Sequence, residues 1–142
     1  MIISTKGRYA LRVMIDLAEH PGEGFIPLQE IAERQNISKE YLTSILKVLV
    51  QNDLLDSLRG KGGGYRLNHP PQEYSVGMIL RLVEGDLAPV ACVAGQCSSP
   101  SHCRLYAMWD NLDQLINGYF DGITLADFLG DDIPEKLKPH HQ

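Results

Sequence analysis

The sequence predicts a mainly α-helical protein with one small β-hairpin and a long amphipathic helix near its C-terminus. Three observations lead to this fold class. Apolar residues recur every three or four positions in four segments before residue 85. A glycine-rich stretch lies between two short runs of strand-forming residues. A fifth apolar stripe follows residue 103, and a chain of 142 residues is long enough for one domain with a buried core.

The first helix should run from about residue 6 to residue 19, with Thr5 as its N-cap. Its apolar side chains recur at helical spacing: Tyr9, Ala10, Val13, Met14, Leu17 and Ala18. The proline and glycines of residues 20–24 end this helix. A short second helix follows Pro27 and directs three apolar side chains inward: Leu28, Ile31 and Ala32.

A tight turn at Asn36 joins the second helix to a third helix, which Ser38 caps. The third helix has one apolar side: Leu42, Ile45, Leu46 and Leu49. Two short helices joined by a turn, the second of them polar on its other side, form a helix-turn-helix pattern. Helix pairs of this size also fill many all-α cores, so this pattern alone is weak support for DNA binding.

Residues 54–68 are typical of a β-hairpin. Residues 54–58 and 65–68 predict two short strands, and residues 59–64, with four glycines, one arginine and one lysine, form the tip. Such a tip has almost no side-chain bulk, so its backbone can approach a phosphate chain closely or enter the minor groove. A helix-turn-helix followed directly by a basic glycine hairpin predicts a winged-helix DNA-binding head.

The glycine-rich tip does not match the motifs that bind nucleotides. In a Walker A motif a serine or threonine follows the lysine, but here Gly62 follows Lys61. A dinucleotide fingerprint starting at Gly60 requires a small residue where Tyr65 stands. A flexible exposed hairpin is the remaining alternative to a wing.

The C-terminal part begins with a fourth helix, which Ser75 caps and Gly85 ends. The apolar stripe after Cys103 predicts a helix of roughly 18 residues, about 27 Å long. Little chain remains to cover that stripe, so its simplest partner is the same helix of a second subunit, packed antiparallel. In the alternative, the helix folds back over the head. Residues 124–129 predict a short closing helix.

The chain therefore divides into four predicted parts. These are a winged helix-turn-helix domain (1–86), a cysteine-bearing loop (87–103), the dimerisation helix with the closing helix (104–130) and a disordered polar tail (131–142). Charges interrupt the N-terminal apolar residues and no stretch is long enough to span a membrane. We therefore expect a cytoplasmic protein with no membrane partner.

All three cysteines lie between residues 92 and 103, in a loop rich in glycine, serine and proline. An odd number of cysteines cannot pair completely within one chain, and a reducing cytoplasm disfavours structural disulfides. Thiolates are soft ligands for zinc or iron–sulfur clusters, and an irregular backbone lets several converge on one centre. The loop therefore predicts metal or redox chemistry.

The net charge of −5 is unevenly distributed. Residues 1–70 hold nine Lys/Arg and eight Asp/Glu, whereas residues 71–142 hold four and ten. Because DNA binding depends on the charge of the contacting face, this overall acidity does not exclude it. No paired carboxylates and no nucleophile–base pair stand in a recognisable catalytic context, so the sequence does not predict an enzyme.

Together with the three cysteines, residues 5–10, 31–35, 37–42 and 59–65 resemble the IscR-type iron–sulfur cluster winged-helix transcriptional regulators, the family of NsrR and CymR. The resemblance covers about residues 1–130. It implies a homodimeric regulator, expected to be a repressor, that binds a palindromic operator in double-stranded DNA. The third helix would enter the major groove and the wing the minor groove. The implied DNA contacts are Ser38, Lys39, Glu40, Tyr41, Thr43, Arg59, Gly60 and Lys61.

The resemblance also implies an iron–sulfur cluster, with [2Fe–2S] preferred to [4Fe–4S]. Its implied ligands are Cys92, Cys97 and Cys103. The fourth ligand is open, because Tyr106 stands where IscR has a histidine and Arg8, which cannot ligate, where NsrR has an acidic residue. His102, a small thiol and a partner-subunit group are the alternatives. Thr43 also departs from the pattern, since IscR carries a glutamate there.

The cysteine loop joins the predicted head to the predicted dimerisation helix, so a change in the cluster is expected to change operator affinity. Two alternatives stay open. In one, the cysteines hold zinc or act as a thiol switch in a redox repressor of the same fold. In the other, the protein is an iron–sulfur carrier, although a carrier has no use for a basic glycine wing.

Overall fold

The computed structural model describes residues 3–22, 24–96 and 101–140. Its five α-helices and two strands, in chain order, are α1 (Thr5–Glu19), α2 (Leu28–Gln35), α3 (Lys39–Gln51), β1 (Leu55–Leu58), β2 (Gly64–Leu67), α4 (Val76–Glu84) and α5 (Tyr106–Asp121). Short 3-10 turns cover Pro71–Glu73, Ala91–Ala94, Leu125–Phe128 and Glu135–Leu137. The predicted fold class, mainly α with one small hairpin, is confirmed.

The N-cap of α1 is Ser4, not the predicted Thr5. The Ser4 hydroxyl accepts a hydrogen bond from the Gly7 backbone N–H at 3.2 Å. The Ser4 backbone N–H also donates to Glu84 Oε1 at 2.9 Å, and its hydroxyl donates to the same oxygen at 2.5 Å. A contact with the distant end of α4 therefore favours Ser4 over the neighbouring hydroxyl, and the sequence alone does not contain that contact.

The helix-turn-helix is formed as predicted. Asn36 ends α2 in the left-handed conformation, with φ 53° and ψ 51°, which asparagine tolerates better than most residues. The Ser38 hydroxyl then accepts from the Tyr41 backbone N–H at 3.2 Å and caps α3. The predicted apolar side of α3 is fully buried: Leu42, Ile45, Leu46 and Leu49.

The hairpin is a two-stranded antiparallel sheet in which Leu55 pairs with Leu67 and the last pair includes Gly64. A Cβ on Gly64 would lie 2.1 Å from the backbone oxygen of Ile26, so only glycine fits there. This close approach lets Ile26 and Tyr65 exchange two backbone hydrogen bonds, of 2.8 and 2.9 Å. The segment before α2 is thereby attached to the start of β2.

The main core lies between α1, α2, α3 and α4, and the side chain of Tyr74 closes one end of it. The Tyr74 hydroxyl donates to the Leu54 carbonyl at 2.8 Å and accepts from the backbone N–H groups of Asn68 and His69 at 3.1 and 3.0 Å. Burial raises the pKa of this hydroxyl. The tyrosine thus connects both ends of the hairpin to the helical core.

The helix α5 packs on α4 along one side only. Arg81 forms two hydrogen bonds to the Asp121 carboxylate, at 2.8 and 2.9 Å, and a third to Asn117 at 2.7 Å. Ile116 and Phe120 pack against a small second core cluster that includes Val76, Leu80, Leu87 and Ile123. Within α5, all of whose residues are described, no side chain is fully buried.

The C-terminal segment contributes to both core clusters. The predicted closing helix is a 3-10 turn with a capping box formed by Thr124 and Asp127, and Leu125 is buried in the main core. The predicted disordered tail is residues 131–142, of which the structure describes 131–140. In the structure Leu137 packs against the second cluster, and Lys136 pairs with the Asp127 carboxylate at 2.7 Å. Among the described residues, no helix is long and apolar enough to cross a membrane.

Candidate nucleic-acid interface and cysteine loop

Helix α3 presents the predicted DNA-contact residues at its first two turns. Ser38, Lys39, Glu40 and Thr43 are exposed, and Tyr41 is half-buried. Two of the hydroxyls already have a structural role, because Ser38 caps the helix and the Thr43 hydroxyl donates to the Lys39 carbonyl at 2.7 Å. In a base contact Ser38 could therefore still donate its O–H, whereas Thr43 could only accept.

Tyr41 is held by an aromatic contact with α1. Its ring lies edge-on to the Tyr9 ring, with the centroids 5.8 Å apart, and the Arg12 guanidinium lies 4.9 Å from the centroid of Tyr9. A surface cleft of about 440 Å³ separates the start of α1 from the start of α3, and both tyrosines and Ser38 line it. The conformation of Tyr41 therefore depends on the position of α1.

A buried ion pair fixes α2 against α1, and it was not predicted from the sequence. Asp16 is 2% exposed, and its carboxylate accepts from Arg34 at 2.7 and 3.0 Å and from the Gln35 side chain at 2.8 Å. Arg12 also donates to Gln35, at 3.2 Å, on the α1 side. The sequence does contain one sign of this pair: Asp16 lies among the apolar residues of α1, and a buried carboxylate requires partners.

This ion pair lowers the pKa of Asp16. Burial alone raises that pKa, but the hydrogen bonds from Arg34 and Gln35 together with the Arg34 charge outweigh burial. The same pairing raises the pKa of Arg34. Asp16 is therefore ionised in the folded protein at neutral pH. Its ion pair holds α2, which leads into the turn before α3, against α1.

The predicted wing residues Arg59, Gly60 and Lys61 are all exposed at the tip of the hairpin. Gly60 has φ 90°, a conformation that side chains rarely adopt. A cleft of about 560 Å³ lies between the hairpin and α3, and Thr43, Arg59 and Gly60 line it together. The structure thus brings these three predicted residues to one cleft and Ser38 and Tyr41 to the other. Lys39, Glu40 and Lys61 line neither.

The cysteine loop separates α4 from α5. Cys92 lies half-buried in the 3-10 turn Ala91–Ala94, so this part of the predicted irregular loop is helical for one turn. Cys103 is exposed just before α5, and both thiols are free. Cys97 lies outside the described residues. In the described ranges no three His, Cys, Asp or Glu side chains gather as a metal-ion site.

The outer side of α5 carries an exposed apolar stripe with alternating spacings of three and four residues. Its members are Leu105, Met108, Leu112, Leu115 and Tyr119. Each is between 37% and 62% exposed. This is the heptad spacing of a helix that packs along a second helix.

Comparison with known proteins gives one family and one fold. The model of the Rrf2 family, described as an iron-dependent transcriptional regulator, matches residues 3–131. The HTH-type transcriptional regulator IscR of Aliivibrio salmonicida (strain LFI1238) is 38% identical over 138 residues, which cover 96% of this chain and 82% of the relative. IscR of Serratia proteamaculans (strain 568) is 37% identical over 130 residues, covering 91% and 79%.

Two solved structures have the same fold. CymR, the global cysteine regulator of B. subtilis, has a TM-score of 0.76 and 34% identity, and the match covers 90% of this chain and 95% of CymR. T. potens IscR has a TM-score of 0.70 and 38% identity, and the match covers 90% of this chain and 85% of that one.

Proposed function

Because the chain belongs to the Rrf2 family of transcriptional regulators, we propose that it binds a palindromic operator as a homodimer and that an iron–sulfur cluster modulates this binding. The family makes the chain a DNA-binding transcriptional regulator and not an enzyme. The observation that carries the finer proposal is the position of the cysteine loop. It connects the head directly to the helix whose apolar stripe is exposed.

The proposed DNA contacts use two elements of each head. The start of α3, with Ser38, Lys39, Glu40, Tyr41 and Thr43, enters the major groove. The wing tip, with Arg59, Gly60 and Lys61, enters the adjacent minor groove, where arginine binds favourably. Two heads of a symmetric dimer would contact half-sites about 34 Å apart, which is one turn of DNA.

The proposed dimer forms through α5. Its exposed stripe has the a/d spacing of a two-helix seam, whereas the opposite side already packs on α4 through Ile116, Phe120 and the Arg81–Asp121 ion pair. An antiparallel pair of these helices would bury both stripes symmetrically. We expect the protein to act as a repressor, since two bound heads on one operator occlude the DNA beneath them.

The donor chemistry of the loop fits an iron–sulfur cluster. Cys92 and Cys103 are free thiols that solvent reaches, and Cys97 lies between them in the sequence. Thiolates are the ligands that such clusters prefer. A bound cluster, [2Fe–2S] in our preferred form, supplies a redox-sensitive centre on this loop. The described residues near it that could provide a further ligand include His102, which is exposed next to Cys103.

A chain of contacts leads from the loop to the recognition helix. Glu84 is the last residue of α4, directly before the loop, and it accepts both hydrogen bonds from Ser4 at the start of α1. One turn later, Tyr9 of α1 contacts Tyr41 of α3. A rearrangement of the loop that moves Glu84 would therefore shift the start of α1 and, through the tyrosines, α3.

The test is anaerobic purification of the full chain beside its Cys92→Ala variant. We expect a coloured wild-type protein with bound iron and sulfide, whose operator affinity changes when the iron is removed, and a colourless variant. With the iron removed from both proteins, the variant should keep the wild-type unfolding temperature, because Cys92 belongs to neither core cluster. A colourless wild-type protein with one zinc per chain would contradict the cluster and support the zinc or thiol-switch alternative. Equal operator affinities before and after iron removal would contradict the regulation.

A further inference from the structure

We propose that the cleft between α3 and the hairpin, called here the strand cleft, binds the sugar–phosphate backbone of one DNA strand and that Lys47 neutralises a phosphate there. This inference rests on the proposed DNA binding and adds a residue and a role to it. Lys47 lies two turns into α3, beyond the residues assigned to base contacts. Its side chain is exposed and lines the strand cleft together with Arg59.

The geometry identifies what passes through the cleft. A major groove and the neighbouring minor groove are separated by a single sugar–phosphate backbone. If α3 lies in one groove and the wing in the other, that backbone must pass between them, through the strand cleft. The cleft has a volume of about 560 Å³ and is open to solvent along the surface, so it can receive an extended polymer.

The charge of the cleft fits a phosphate chain. Its charged lining residues are Lys47 and Arg59, and no Asp or Glu lines it, although the whole chain has a net charge of −5. Among the described residues, neither cation has a carboxylate partner within ion-pair distance. By contrast, carboxylates pair with five other cations of the protein: Arg34, Arg66, Arg81, Lys136 and Lys138. The two cations of the cleft are therefore available to an anionic ligand.

The remaining walls of the cleft fit the sugars. Leu28, Val50 and Tyr65 supply apolar surface, and Leu58 remains 50% exposed beside Arg59. The faces of deoxyribose are apolar, so such a surface can pack against them while the phosphates turn toward the cations. On the hairpin side Gly63 leaves bare backbone, because a Cβ there would lie 2.2 Å from the Leu58 carbonyl oxygen. The cleft thus combines cationic and apolar surface.

The test uses the salt dependence of binding to two duplexes. One is an operator duplex selected from a random-sequence library with the wild-type protein, and the other is an unrelated mixed-sequence duplex. Each phosphate contact contributes about 0.9 to the slope of log affinity against log salt concentration. We expect Lys47→Gln to reduce that slope by about 0.9 and to weaken binding to both duplexes by the same factor. Lys47→Arg should restore the slope.

Two further variants separate a local contact from a general charge effect. Lys138→Gln makes the same change in net charge at a residue that pairs with Glu135, far from the cleft in sequence, and should leave the slope unchanged. Ser57→Asp introduces a carboxylate at the cleft wall and should weaken binding to both duplexes. Thermal unfolding of each variant verifies that it is folded.

The outcomes distinguish this inference from the proposed function. If Lys47→Gln and Lys138→Gln give the same slope as the wild type, DNA binding stands and the role of Lys47 is wrong. If Lys47→Gln weakens binding only to the operator, Lys47 contacts a base and not the backbone. If the wild type binds no duplex at any salt concentration, both the inference and the proposed function are wrong.

Discussion

At the scale of single residues, the buried Asp16 connects the first helix of the helix-turn-helix to α1. Its carboxylate is 2% exposed and is satisfied by Arg34 and Gln35, which lie in the last turn of α2 directly before the turn to α3. Removing one partner of a buried ion pair leaves the other without compensation, which costs far more than losing an exposed pair. This pair therefore stabilises the fold and also holds the end of α2 in place before the turn to α3.

The lowered pKa of Asp16 predicts a specific pH dependence of stability. A carboxylate whose pKa is lower in the folded state stabilises the fold fully above its ordinary pKa, and this contribution is lost as the pH falls through the folded-state pKa. We expect Asp16→Asn to reduce the free energy of unfolding by about 2 kcal/mol at pH 7, since charge-assisted hydrogen bonds are lost. Below about pH 4 the difference from the wild type should shrink.

Chemical denaturation from pH 7 to pH 3 measures this difference. Asp131→Asn, at an exposed position, is the matched control and should follow the wild-type curve at every pH. Parallel curves for the wild type and Asp16→Asn would mean that the carboxylate does not stabilise the fold through its charge.

At the scale of elements, α5 is unusual because it has two different apolar sides. One side packs on α4 within the chain, and the other carries the stripe that includes Leu112 and Leu115, at 37% and 62% exposure. An exposed apolar stripe of this length is typical of an interaction surface. Its heptad spacing favours a helical partner over an irregular one.

We expect Leu115→Lys to convert the proposed dimer to a monomer, because a charge at a d position of a helix seam is desolvated without a partner. Operator affinity should then fall by about tenfold or more, since an interface anchor is worth about 2 kcal/mol. Light scattering coupled to gel filtration gives the mass, and DNA titration gives the affinity. Gln114→Lys, on the polar side of α5, is the control and should remain dimeric. An unchanged mass for Leu115→Lys would exclude this stripe as the interface.

At the scale of the whole molecule, one connection between the cysteine loop and the head joins the end of α4 to the start of α1. Glu84 and Ser4 join the end of α4 to the start of α1, and a Cβ on the buried Gly7 would lie 2.2 Å from Glu84 Oε1. Glycine at this position therefore makes room for the carboxylate. Two different substitutions, at Glu84 and at Gly7, can disturb the same contact.

We predict that Glu84→Ala and Gly7→Ala both reduce the ratio of operator affinities measured with and without the iron–sulfur centre. Couplings between sites are typically 1–3 kcal/mol, so we expect the ratio to fall about fivefold or more toward one. Glu84→Gln keeps an acceptor oxygen for Ser4 and should retain most of the ratio. Glu73→Ala, at an exposed position, is the control. If Glu84→Ala weakens binding equally in both states, the contact positions α1 but does not transmit the state of the loop.

The distribution of charge also becomes clear only at this scale. The cations without a carboxylate partner among the described residues are concentrated in the first half of the chain: Lys6, Arg8, Arg12, Lys39, Lys47, Arg59 and Lys61, with Arg104 as the one beyond it. A protein with a calculated pI near 5.4 can therefore keep unpaired cations on its head for contact with DNA.

Local patterns in the sequence determined the fold class, the helix-turn-helix and the wing. Apolar spacing, the caps at Ser38 and Ser75 and the glycines of the hairpin act within a few residues, so their consequences are readable along the chain. The strand cleft, the Asp16 ion pair and the choice of Ser4 over Thr5 were decided by tertiary structure. Each depends on side chains that are distant in sequence, such as Glu84 beside Ser4, and only packing determines which of those side chains meet.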